Sequence, residues 1–362
     1  MLEVLGEWVN HDSPTLDKPC VDSLGRRISA AFAALGASVE TLPQSGYGDH
    51  YRVVWGNGAR QILLLAHLDT VWPLGEAARR PFAVGDGKAT GPGVNDMKSG
   101  IVVGLYALQA LIETGRTPAH RLVYLLTSDE EMGSPTSRAL IEKEARRSDY
   151  ALVLEPSRGG PLTTWRKGVG HFDLQVTGIA SHAGVDPEKG VSAVEELAHQ
   201  TLKLHAMSDV ARGISVNVGT TQGGSRSNVV AASAQAEIDL RVMTASDGER
   251  MAQAILSLTP VLKGTTLRVS GGLNRPPYEE SAAGLALYER ARTVGARLGL
   301  TLDKTGSGGG SDGNFTAALG VPTLDGLGAV GQGSHALSEH ILVESLPQRA
   351  ALLAELVLDL GQ

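Results

Sequence analysis

Five residues whose side chains can bind a metal stand where apolar runs give out. His67 ends QILLLAH, Asp96 lies in GPGVNDMKSG, Glu131 follows RLVYLLTSDE, Glu155 follows DYALVL, and His335 sits among glycine and serine. Two imidazoles and three carboxylates suit zinc, which takes nitrogen and oxygen ligands at about 2.0–2.2 Å in four-coordinate sites. Two cations held ~3.5–4 Å apart need an anion between them to offset their repulsion. Asp96 is the candidate bridge, because the neighbouring glycines let the backbone turn tightly and present its carboxylate just before a helix begins. His67, Asp96 and Glu155 would form one half of such a centre, and Asp96, Glu131 and His335 the other, with positions left for water. Each residue alone also reads as an ordinary strand-end, cap or loop residue. Together they gain meaning only if one fold sets all five on the same rim.

Hydrolysis needs one group more. Glu130 and Glu131 are adjacent, and consecutive side chains of extended backbone point to different sides. One can therefore ligate metal while the other serves as a base. The metals bring the pKa of a bound water towards ~7, and a neighbouring carboxylate takes its proton and delivers it to the leaving amine. That role falls to Glu130; the plain alternative makes it a strand-end residue with no part in the chemistry. Asp69, two residues past His67, is placed to orient the imidazole or brace Asp96, or simply to cap the turn.

The elements that must position these groups follow from hydrophobic periodicity. A chain of 362 residues exceeds the ~250–300 residues at which single cores stop growing, so two domains are expected. Up to about residue 165, apolar runs alternate with helical stretches, the pattern of an α/β domain with a mixed, largely parallel sheet. In such sheets ligands bind beyond the carboxyl ends of the strands, which is where the candidate ligands stand. Residues 169–275 then read strand, helix, strand, strand, helix, strand, the order of a ferredoxin-like α+β domain. Its first helix is expected from Pro187 to about Met207 with Asp186 as cap, and its second behind a capping box of Ser246 and Glu249. The α/β pattern resumes near Tyr278. The expected organisation is a discontinuous catalytic domain, 1–168 and 276–362, interrupted by the inserted domain 169–275.

The net charge of −7, with Lys and Arg scattered, offers no basic stripe for nucleic acid or an anionic membrane. Cys20 is the only cysteine, so the metal site must use imidazole and carboxylate, and no intramolecular disulfide can form. No apolar run reaches the ~18 residues of a membrane span, and the start MLEVLGEWVN carries acidic residues where a signal peptide would be basic. A cytoplasmic location is expected.

The stretches AHLDTV, GPGVNDMKSG, TSDEEMGS, LEPS, SHAG and the GSH that contains His335 occur in the order found in a known family. The chain resembles the co-catalytic dizinc metallopeptidases, which include glutamate carboxypeptidase, aminoacylase, succinyl-diaminopimelate desuccinylase and acetylornithine deacetylase. The resemblance implies that His67, Asp96, Glu131, Glu155 and His335 hold two Zn²⁺, with Co²⁺ or Mn²⁺ as substitutes, and that Glu130 is the base with Asp69 behind the ligands. It implies a cis peptide after Asp96. It also implies that the inserted domain is a lid and dimerisation domain, hence a homodimer. Ser99 departs from the glycine common in the family, which bears on the shape of the loop and not on the ligand. RKGVGHFDLQVTGIASHAG and SGGGSDGNFTAALGVPTLDGLG look most like glutamate carboxypeptidase.

Four further residues concern the substrate. His182 follows the first strand of the inserted domain, where a turn would project it; the matching family histidine reaches the partner subunit's site and stabilises the oxyanion. Arg241 alternates with Ile238, Leu240 and Val242 and so leaves the apolar face. By itself it reads as a surface arginine, whereas the family uses the matching residue to grip the substrate's terminal carboxylate. Asn228 is a candidate for the same task or a turn residue. Gly309, in the run 308–310, belongs to a flexible loop or to a backbone-amide nest for an anion. The leading expectation is an enzyme releasing a C-terminal amino acid, glutamate foremost, from a small molecule or peptide with a free carboxylate. An N-acyl amino acid deacylase would use the same mechanism, and a non-catalytic metal-binding protein the same fold.

Overall fold

The computed structural model describes residues 1–361. The chain divides into two compact units, one of residues 1–165, 280–307 and 311–361, the other of residues 166–279 with 308–310. Among the described residues no helix is long and apolar enough to cross a membrane.

The first unit is built on a six-stranded mixed sheet. Its leading strands are β1 (Ser38–Leu42), β2 (His50–Trp55), β3 (Gln61–His67), β4 (Arg121–Thr127) and β5 (Tyr150–Val153), and the short strand Thr323–Leu324 completes it. The order is β1-β2-β4-β3-β5 followed by Thr323–Leu324. β3 runs parallel to both β4 and β5, while β1 and β2 form an antiparallel edge. Every residue of β3 is buried, as expected of a central parallel strand covered on both faces. Ile62, Leu64 and Ala66 enter the core shared with the helices Lys18–Ala34, Ser99–Glu113 and Ser345–Asp359. Leu63 and Leu65 face the opposite layer with Ile141, Ala145 and Phe315.

A smaller sheet of the same unit carries the other ligand-bearing segments. Ser157–Arg158, just past Glu155, pairs in parallel with Val330–Gln332, which pairs antiparallel with His340–Leu342. His335 therefore hangs in the loop between two paired strands.

The second unit is a four-stranded antiparallel sheet of β6 (Gly168–Thr177), β7 (Ser215–Gly223), β8 (Ser233–Val242) and β9 (Thr266–Arg275), in the order β7-β8-β6-β9. Helices Ala193–His205 and Ala245–Leu256 contribute Leu197, Leu204, Met251 and Ile255 to its core. Both helix starts differ from the sequence expectation. The first helix begins at Ala193, capped by Ser192, whose hydroxyl accepts the Glu195 N–H at 3.2 Å; Pro187–Lys189 is a separate 3-10 turn. The second is capped by Thr244, which accepts from the Asp247 N–H at 3.2 Å. In both cases the hydroxyl accepts an N–H of the first turn that has no partner within the helix.

Candidate metal centre

β3 ends at His67 and buries it to 2% exposure. Its Nδ1 lies 3.0 Å from the carbonyl oxygen of Asp69 and 3.4 Å from that residue's Oδ1. These acceptors favour the proton on Nδ1 and leave Nε2 to face Asp96 Oδ1 at 3.2 Å and Glu155 Oε1 at 3.5 Å. On the other side His335 Nε2 lies 3.4 Å from Asp96 Oδ2 and 3.2 Å from Glu131 Oε2. The two oxygens of Asp96 thus face two different imidazoles, each with a carboxylate beside it, and ligand-type atoms of His67, Asp96 and Glu131 lie within 4.8 Å of one another. Glu130 joins the first pair, with ligand-type atoms of His67, Glu130 and Glu155 all within 4.8 Å of one another.

Local chemistry explains each placement. Asp96 lies in a distorted turn ahead of the helix Ser99–Glu113, and its peptide bond to Met97 is cis. That helix can approach the end of β5 because residue 100 is glycine; a Cβ there would lie 1.9 Å from the Leu154 carbonyl oxygen. Glu130 and Glu131 do not stand on a strand. β4 stops at Thr127, and Glu130–Met132 form a 3-10 turn, so the turn and not strand alternation sends the two carboxylates apart. Asp129 builds the loop: its carboxylate accepts from the N–H and Oγ1 of Thr136 at 2.6 and 2.7 Å and from the N–H and Oγ of Ser137 at 3.1 and 2.6 Å. Asp69, fully buried, accepts the N–H groups of Glu130 at 3.3 Å and Glu131 at 3.2 Å and the hydroxyl of Thr15 at 2.8 Å. It orients His67 and the glutamate turn. Asp96 is braced instead by Glu339, whose carboxylate accepts its N–H at 3.1 Å.

Electrostatics argue for bound cations. Burial works against charge on His67, yet Asp69, Asp96 and Glu155 outweigh it and raise its pKa well above the ordinary value. Contacts with Asp96 and Glu131 push His335 up to about 10. Burial raises Glu131 to about 7, and against burial the two imidazoles hold Asp96 well below the usual carboxylate range. The carboxylates demand positive charge, and protons on the imidazoles meet that demand when no metal is bound. Glu131 Oε1 is buried with no hydrogen-bond partner, a costly state that a cation would relieve. The donor set therefore fits metal ions.

Because ligation requires neutral imidazole, metal must displace these protons. With His335 near 10, metal binding should release protons at neutral pH. Apparent affinity should rise about tenfold per pH unit for each proton lost between about pH 6 and 8. Calorimetric titration with zinc in buffers of different ionisation enthalpy measures the release, and an affinity flat across this range would contradict it.

The other sequence candidates lie in the second unit. His182 is exposed, and its neighbour Ala183 donates its N–H to the Asn228 carbonyl at 3.0 Å, so these two segments are paired. Arg241 already has a carboxylate: Nε and Nη2 donate to Asp239 Oδ1 and Oδ2, both at 2.8 Å. The carbonyls of Gly309 and Gly310 accept from Arg166 Nη1 at 3.3 Å. Sequence reasoning missed Thr15 and Glu339. Neither carries a local signal, since each is defined by a partner 54 or more than 200 positions away.

The profile of Peptidase family M20/M25/M40 matches residues 63–359. The chain is 31% identical over 370 aligned residues to carboxypeptidase G2 of Pseudomonas sp. (strain RS-16), covering 100% of this chain and 89% of that one. It is 28% identical over 360 residues to the succinyl-diaminopimelate desuccinylase of Dechloromonas aromatica (strain RCB), covering 93% and 92%. The solved structure of aminopeptidase PepT from Bacillus cereus ATCC 10987 shares its fold with a TM-score of 0.80, at 24% identity over 100% of this chain and 99% of that one. With a profile match over most of its length and a whole-length relative above 30% identity, the chain belongs to peptidase family M20/M25/M40 and is a metal-dependent hydrolase.

Proposed function

We propose that this hydrolase is a dizinc carboxypeptidase that cleaves an amide bond beside a free carboxylate, releasing C-terminal glutamate. The observation that carries the reading is the two-sided Asp96, facing His67 through one oxygen and His335 through the other, with Glu155 beside the first imidazole and Glu131 beside the second. Two Zn²⁺ held by these five residues, with Co²⁺ or Mn²⁺ as substitutes, supply Lewis acidity that acidifies water and polarises the scissile carbonyl. Glu130 accepts the water's proton and passes it to the leaving nitrogen. Asp69 keeps His67 in the tautomer that presents Nε2. His182 donates to the developing oxyanion, and Arg241 grips the substrate carboxylate with Asn228 and Gly309 beside it. Since Arg241 is already paired with Asp239, the substrate must share or exchange that carboxylate. The inserted unit acts as lid and homodimer surface, and the enzyme works in the cytoplasm.

Whole-length similarity to carboxypeptidase G2 supports the carboxypeptidase reading. Similarity to a desuccinylase over nearly the whole chain supports a second, an N-acyl amino acid deacylase. Assay of folyl-glutamate, N-acetyl amino acids and dipeptides with zinc or cobalt separates them, with fastest turnover expected on folyl-glutamate. Arg241→Met should lower kcat/KM on that substrate about 10- to 100-fold, the loss of a charge-assisted fork, at unchanged metal content. Unchanged kcat/KM would remove Arg241 from substrate recognition.

A further inference from the structure

The turn that presents Asp96 and the loop that presents His335 are remote in sequence, yet one carboxylate joins them. Glu339, fully buried and four residues past His335, accepts the N–H of Gly93 on Oε2 at 3.0 Å. On Oε1 it accepts those of Asn95 and Asp96 at 2.9 and 3.1 Å. The indole N–H of Trp72 donates to Oε2 at 2.8 Å. Hydrogen bonds to an ionised acceptor are roughly twice as strong as neutral ones, so this carboxylate pins the Asp96 turn.

Other contacts tighten the same seam. Asn95 Nδ2 donates to Ser334 Oγ at 2.8 Å. Arg80 lies 4.2 Å over the Trp72 ring and donates to the Leu337 carbonyl at 3.2 Å. Residue 331 must be glycine for the approach, since a Cβ would come within 2.1 Å of Asn95 Oδ1.

His335 depends on that seam more than His67 does. A ligating histidine almost always has its second ring nitrogen fixed by a hydrogen bond. His67 has the Asp69 carbonyl. His335 is 54% exposed, has a backbone φ of 65°, and among the described residues touches polar groups only through Nε2. Its direction is set by its loop alone.

We infer that Glu339 is a positioning residue for the His335 half of the metal centre: by tying the Asp96 turn to loop 334–339 it sets the gap between Asp96 Oδ2 and His335 Nε2. The inference rests on the reading of the five residues as ligands. Asp96 faces both imidazoles, but His67 is also held by β3 and Asp69, so loss of Glu339 weakens the His335 half more than the His67 half.

The test is a titration of metal-free protein with Co²⁺, read by absorption and by bound-metal stoichiometry, for wild type and Glu339→Gln. Wild type should take two equivalents. The variant should take the first with an affinity nearer to wild type, and the second about 10- to 100-fold more weakly with an altered visible band. A fold defect alone would not produce that asymmetry. If Glu339→Gln does not fold, Trp72→Phe removes one donor and should weaken the second equivalent roughly 2- to 10-fold. Two equivalents with wild-type affinities and spectra in the folded variant, or equal weakening of both, would overturn the inference while leaving the ligand reading intact. A wild-type protein that binds no Co²⁺ would overturn the ligand reading itself.

Discussion

Glu130→Ala is expected to keep a full complement of metal and to lower kcat by about 10²- to 10⁴-fold, the usual contribution of a positioned acid–base group. Ligand-type atoms of Glu130, His67 and Glu155 lie within 4.8 Å of one another, while His67 is oriented by Asp69 and His335 faces Asp96 and Glu131. Removal of Glu130 therefore deletes the proton acceptor and leaves both imidazole and carboxylate pairs. KM should change little, because a group that acts on the proton in flight contributes chiefly to the transition state. Metal analysis and steady-state kinetics on one preparation decide the matter. Loss of metal in step with activity would mark Glu130 as a ligand, and full activity would end its candidacy as base.

Asp96→Ala should be the more damaging change, because it removes the one side chain common to both pairs. Each half would retain one imidazole and one carboxylate, and two dications would lose the anion that offsets their repulsion. Both metals should be lost, and turnover should fall below that of Glu130→Ala. A second reading comes from stability. A ligand that binds only the folded state stabilises it by ~2.7 kcal/mol at a hundredfold excess over Kd, so zinc should raise the wild-type Tm and leave that of Asp96→Ala unmoved. His335→Ala, which disturbs one pair, should keep part of that shift. An Asp96→Ala protein that still binds one zinc with wild-type affinity would show that the halves are independent and that Asp96 does not bridge.

The α/β architecture was legible because its strands announce themselves. ILLLA, between Gln61 and His67, is apolar throughout, and such a run between polar groups has few alternatives to a doubly covered strand. His67, Glu131 and Glu155 stand out for a related reason: each lies at or just past the end of an apolar strand. Less was legible where the determinant is a tertiary partner. Reading Glu130 and Glu131 as extended backbone gave divergent carboxylates for the wrong reason, since Asp129 and its four hydrogen bonds fold that segment into a turn. Ser192 and Thr244, not Asp186 and Ser246, accept the capping N–H groups, a choice among side chains that all suit a cap. Glu339 stands in ALSEH, where nothing local distinguishes a carboxylate that will meet three backbone amides after the chain has closed on itself.

The bonds around Asp129 also govern timing. They involve only protein groups, so the turn carrying Glu130 and Glu131 is ordered as the chain folds. Fixing a residue's backbone costs about 1–2 kcal/mol, and here that cost falls on folding and not on the arrival of the ion. A small zinc module, which acquires its shape from the metal, spends binding energy on organising itself. In this hydrolase the turn carrying Glu130 and Glu131 is held by protein groups alone, so less of the binding energy is spent on ordering that turn.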